Sequence, residues 1–130
     1  MKILKIIKLI PCFWLPLLVF LIHLVLILNF DIYTIYDWFD IPMHFIGGAS
    51  IAFSFICVLK KCREEIIIKD ILVGIVILVA LVGLVAIFWE FGECIFHFQG
   101  DLNDTLFDFV MGLSGGLFVS LILGRSVIVK

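Results

Sequence analysis

Four long apolar runs, roughly Ile10 to Leu28, Met43 to Leu59, Ile71 to Phe91 and Thr105 to Leu123, constrain this chain more than anything else in it. Each approaches the ~20 residues an α-helix needs to cross the hydrocarbon of a bilayer. Lipid offers no partners for backbone N–H and C=O groups, so a spanning segment must satisfy them internally, as a helix or in a closed barrel. The apolar residues run on without alternation, which argues against the barrel. With 65% hydrophobic and 15% charged residues, the chain also lacks the polar surface of a water-soluble domain, where about a quarter of residues are charged. The loops between runs are short, with no linker and no internal repeat. The expectation is a single all-α transmembrane domain over residues 1–130, a polytopic bundle of four helices.

The nine Lys and Arg residues sort strictly. Lys2, Lys5 and Lys8 precede the first run, Lys60, Lys61, Arg63 and Lys69 lie between the second and third, and Arg125 and Lys130 follow the fourth. The positive-inside rule then predicts cytoplasmic N- and C-termini in a prokaryotic plasma membrane. The basic residues are too few and scattered for nucleic acid and suit anionic lipid heads. Lys2 to Lys8 resemble the start of a signal peptide, but the following run is too long and lacks a small-residue cleavage site, so it reads as an uncleaved helix. Pro11 and Pro16 lie near its start, where missing backbone donors cost least. Trp14, Trp38 and Trp89 fall near the expected interfaces and read as belt anchors. Cys12, Cys57 and Cys62 fall towards the cytoplasmic half and Cys94 towards the outer face. None has zinc-site spacing, and they read as small apolar packing residues rather than a disulfide pair.

Against this background one stretch is anomalous. FWEFGECIFHFQGDLNDTLFDFVMG, residues 88–112, holds Glu90, Glu93, His97, Asp101, Asp104 and Asp108. Asp40 and Asp104 begin helices, where an acid caps free N–H groups and suits the positive end of the dipole. Glu90 and Glu93 stand at the opposite, negative end of the third helix with no nearby Lys or Arg. A charge at mid-membrane costs about 2.5–3.5 kcal/mol on insertion scales, so water, a shared proton, a histidinium or a bound cation must offset it.

Spacing gathers these groups onto faces. Gly83, Ala86, Glu90, Glu93 and His97 recur at three- and four-residue steps, as do Asp104, Asp108, Gly112 and Gly115; Asp40, His44, Gly48 and Ala52 are spaced by four. Each face sets polar groups above small residues, and small residues let membrane helices approach closely. Gly47, Gly48, Gly83, Gly112, Gly115 and Gly116 are therefore expected at helix contacts. The faces converge on a pocket at the outer side lined by His44, Glu90, Glu93 and Asp108, with His23, Asp40 and His97 as additional candidates. Ser50, Ser54, Ser114 and Ser120 read as interhelical hydrogen-bonding residues.

The string Asp40-x3-His44-Phe45-x-Gly47-Gly48, then Trp89-Glu90-x2-Glu93, then Gly100-Asp101-x2-Asp104-Thr105-x2-Asp108 and the glycines that follow resembles the YjdF-type bacterial inner-membrane proteins and, more distantly, VanZ-like proteins. The resemblance spans about Asp37 to Leu123. It implies a small helical bundle and assigns His44, Glu90, Glu93, Asp101, Asp104 and Asp108 to the family's polar positions, with no particular reaction attached.

Several carboxylates with one or two imidazoles suit a divalent metal ion as cofactor. Three functions fit: a small multi-pass protein binding such a cation; a metal-assisted hydrolase or transferase acting on a lipid or envelope precursor; and a structural subunit or proton- or cation-handling protein. No tight metal motif such as His-Glu-x2-His decides for the enzyme. The partners expected are the lipid bilayer and, on the lipid-facing surface of four helices, a second copy or partner membrane subunits.

Overall fold

The structure, a computed structural model, describes residues 7–30, 32–96 and 101–128. Four long helices carry the chain: α1 (Trp14–Phe30), α2 (Asp40–Lys61), α3 (Ile71–Phe96) and α4 (Leu102–Leu123). A 3-10 turn, Ile10–Phe13, leads into α1, and another, Gly124–Val127, follows α4; a helical turn, Ile32–Ile35, and a 3-10 turn, Asp37–Phe39, join α1 to α2. No strand occurs among the described residues. All four long segments have the length and apolarity to cross a membrane.

The helices outrun their apolar runs. α2 begins at Asp40 rather than Met43, and α3 continues to Phe96, well past Phe91. Helical hydrogen bonding follows the backbone and ignores where side chains turn polar, so Glu90 lies inside the helix and Glu93 begins its last turn.

The capping expectations are corrected in both helices. Phe39 holds the N-cap position of α2 without a side-chain cap bond, and Asp40 is already inside the first turn. Asp101, not Asp104, caps α4: at φ −81° and ψ 176° its carboxylate accepts from the amides of Asn103 (2.9 Å) and Asp104 (3.0 Å). An aspartate can accept from the amides two and three residues ahead only when its own backbone is extended, a condition Asp101 meets and Asp40 does not. At the other end of the bundle Asp70 Oδ1 accepts from the Val73 amide at 3.0 Å, opening α3.

Glycine sets the α2–α4 contact. A Cβ on Gly48 would collide with the carbonyl oxygen of Gly112, and one on Gly115 with the carbonyl oxygen of Phe45. Gly116 faces Val82 of α3, whose Cγ1 would lie 2.8 Å from an added Cβ, and Gly83 faces Leu113 at 3.2 Å. Gly47 differs from its neighbour, with nothing within 4 Å of an added Cβ. The expected interhelical serine bonds are also corrected. Ser50, Ser54, Ser114 and Ser120 each donate to a carbonyl of their own helix, at 2.7, 3.0, 2.8 and 2.7 Å, the local bond a hydroxyl finds most easily in a helix.

The ends opposite Asp40 and Asp101 carry the basic residues. Lys61 Nζ donates to the Lys8 carbonyl at 2.7 Å, and Arg63 donates to the carbonyls of Ser126 (2.9 Å) and Ile128 (3.2 Å). Ile68 and Val127 close this end over Ile56, Leu59 and Leu78.

α1 is the loosest helix. His23 is the buried residue of α1, and Cys12 that of the turn before it. At the basic end Cys12 forms a disulfide with Cys57 of α2, Cα atoms 5.6 Å apart, and Phe13 packs edge-on against Phe55. At the acidic end Phe20 and His23 pack edge-on against Trp89 of α3, with centroids 5.6 and 5.1 Å away. The disulfide corrects the reading of Cys12 and Cys57 as unpaired filler. Compartment reasoning had no access to their proximity, which two antiparallel helices create. In the unreduced, denatured protein Cys62 and Cys94 should take maleimide and Cys12 and Cys57 should not, with four adducts by intact mass only after reduction; four adducts before reduction would remove the staple.

Candidate metal centre

His44 is the hub. It lies one helical turn after Asp40, so the two share a face of α2, and Nε2 is 3.3 Å from Asp40 Oδ1. The Gly48–Gly112 and Phe45–Gly115 approaches draw α4 against that same face, bringing Asp108 Oδ2 to 3.9 Å from Nε2. From the other side α3 brings Glu90 Oε1 to 3.8 Å from Nδ1. Glu93 lies one turn nearer the acidic end, and its Oε1 accepts from Trp89 Nε1 at 2.7 Å. Glu90 and Asp108 are 8% and 4% exposed, and the His44 side chain is 9% exposed. These are interior groups in a bundle whose four helices are long and apolar enough to cross a membrane. Among the described residues His44 Nε2 finds no hydrogen-bond partner despite its near approaches.

Two overlapping donor groups result: Asp40, His44 and Asp108, and His44, Glu90 and Glu93, each with its donor atoms within 4.8 Å of one another. Two donors each ~2.1 Å from a common ion stand about 3.0 Å apart when cis in an octahedron and about 3.4 Å apart in a tetrahedron. About Nε2, the separations of 3.3 Å to Asp40 and 3.9 Å to Asp108 are within a small side-chain movement of shared coordination, while Glu90 stands 3.8 Å from Nδ1, the other ring nitrogen, in the second group.

The charge balance points the same way. Four carboxylates, Asp40, Glu90, Glu93 and Asp108, surround one imidazole. The basic end of α2 begins at Lys60, about 24 Å of helix rise from His44, too far to neutralise them. Buried charge in a membrane demands a local partner. Protons or a cation must supply what the protein's own bases do not.

The remaining candidates separate. His23 is buried beside Trp89 but belongs to neither donor group. Asp101 is the exposed cap of α4, and Asp104 is exposed in its first turn. His97 lies outside the described residues. Trp89 is the residue the sequence reading missed. Trp14 and Trp38 are exposed as belt anchors would be, whereas Trp89 turns inward to hold Glu93 and support α1. Its four-residue spacing from Glu93 was the available signal, since residues so spaced meet on a helix surface.

Compared with protein families, curated proteins and solved structures, the chain matches none.

Proposed function

We propose that this chain is a small multi-pass protein of a prokaryotic plasma membrane that binds a divalent cation at the acidic end of its bundle. The carrying observation is the buried His44 imidazole between Asp40 and Asp108 on one side and Glu90 on the other. Nitrogen with several carboxylate oxygens favours a first-row divalent ion such as manganese or zinc over calcium, which takes oxygen ligands alone. The clustering of Lys8, Lys61 and Arg63 at the opposite end supports cytoplasmic termini and a cation site near the outer face. The resemblance to YjdF-type proteins covers His44, Glu90, Glu93 and Asp108 and agrees with this reading.

Metal content tests it. Protein purified in mild detergent without chelator should carry close to one divalent ion per chain, and His44→Ala and Asp108→Asn should carry little. Background metal in the wild type, including after dialysis against manganese, would defeat the proposal and leave a bundle held by shared protons.

A further inference from the structure

Beneath the candidate metal centre lies a cavity of about 230 Å³. Its walls come from all four helices: Pro16, Val19, Phe20 and His23 of α1, Met43 to Ile51 on one face of α2, Val82 to Trp89 of α3 and Gly112 of α4. α1 closes one side of it, held before its start by the Cys12–Cys57 disulfide and at mid-helix by Phe20 and His23 against Trp89. The lining is almost wholly apolar. Ser50 is the exception low in the cavity, and its hydroxyl is already engaged by the Gly47 carbonyl. The histidines mark the upper end. His44 belongs both to this wall and to the donor groups, so the apolar shaft abuts the metal centre at that imidazole, with the carboxylates outside the wall.

From Met43 to Ile51 the shaft runs about 12 Å along α2 at the usual helical rise. A volume of about 230 Å³ over that length is too small for a helix, which is about 10 Å across, and suits a single hydrocarbon chain. Its largely apolar walls offer water few partners and match hydrocarbon better.

We infer that the cavity takes one acyl or isoprenoid chain of a membrane phospholipid whose phosphate head reaches a cation held at His44. The inference rests on the cation reading above, because four carboxylates repel a phosphate until a divalent ion reverses the local charge. Cation and lipid must therefore bind cooperatively, each raising the other's affinity by the same factor.

The probe is dodecyl phosphate, titrated against the full chain in a phosphate-free maltoside detergent with and without manganese. Bound ligand is read by native mass spectrometry and free manganese by its paramagnetic resonance signal. Manganese should raise alkyl phosphate affinity at least tenfold. Gly47→Leu projects into the cavity from a position with open space around it and touches no donor. It should keep wild-type manganese affinity and lose alkyl phosphate binding at least tenfold. Gly47→Ala, too short to fill the shaft, should behave as wild type and controls for the change of backbone. Normal manganese binding with no manganese-dependent alkyl phosphate binding would overturn this inference and leave the cation reading intact. Binding of the probe by Gly47→Leu at wild-type affinity would overturn it equally. Absence of manganese binding itself would overturn both, and the resonance signal tells that failure from the others.

Discussion

Gly115→Val should still insert in the membrane yet fail to hold α2 against α4. The position allows no accommodation, because an added Cβ meets the Phe45 carbonyl, and backbone cannot swing aside as a long side chain can. Overpacking a well-fitted interior typically costs about 1–3 kcal/mol and occasionally more; a clash with backbone places this variant at the upper end. The consequence reaches the site, since the same helix contact carries Asp108 to His44. Thermal unfolding in detergent should fall by several degrees or more, and metal content should fall with it. Gly48→Val, which meets the Gly112 carbonyl, should do the same from the facing helix. Gly47→Ala is the internal control: with open space at its Cβ it should be neutral or gain up to about 1 kcal/mol in helix propensity. Equal melting of Gly115→Val and Gly47→Ala would show that the glycine contact does not hold the pair together.

His44→Leu should be the most damaging single change at the site. It removes the imidazole that Asp40, Glu90 and Asp108 approach and leaves buried carboxylates facing an apolar side chain. Deleting one partner of a buried charge cluster commonly costs about 3–5 kcal/mol, because the remaining charge keeps its desolvation penalty without compensation. The variant should bind no manganese and melt well below wild type even in metal-free buffer. Neutralising the abandoned acids should restore much of that loss: His44→Leu with Glu90→Gln and Asp108→Asn is expected to regain stability but not metal. In wild type, manganese at a hundred times its dissociation constant should add about 2.7 kcal/mol of stability, and the rescued variant should show no such gain. If the triple variant responds to manganese as wild type does, the ion sits elsewhere.

Much of the site was legible because membrane helices make a spacing of four residues meaningful. Asp40, His44, Gly48 and Ala52 fall on one face whatever the helix packs against, and in lipid an acid or histidine on such a face turns inward. His44, Glu90 and Asp108 meet for that reason. Asp101 and Asp104 misled for a related one: a polar residue at a helix start suits a cap and a site equally well, and only backbone angles separate the two. Trp89 was misplaced because depth alone predicts a belt residue, whereas its inward turn depends on Glu93 and on α1 arriving beside it.

Four apolar helices, all the bases at one end, a cluster of acids and histidine at the other, and faces shared by small and polar residues could be read from the residues alone. Those are local properties, set by composition and helical period, and they need no knowledge of neighbours. Packing in three dimensions was needed to show that His44 is common to both donor groups, that Cys12 meets Cys57, that Gly48 is packed to contact while adjacent Gly47 faces open space, and that a cavity lies between α1 and the other helices below the histidine. Each depends on how far apart two helices stand and how they are rotated, which backbone contact at Gly48 and Gly115 sets for α2 and α4, and the contacts of Cys12, Phe20 and His23 set for α1. An apolar sequence with so even a surface as α1 carries almost no record of them.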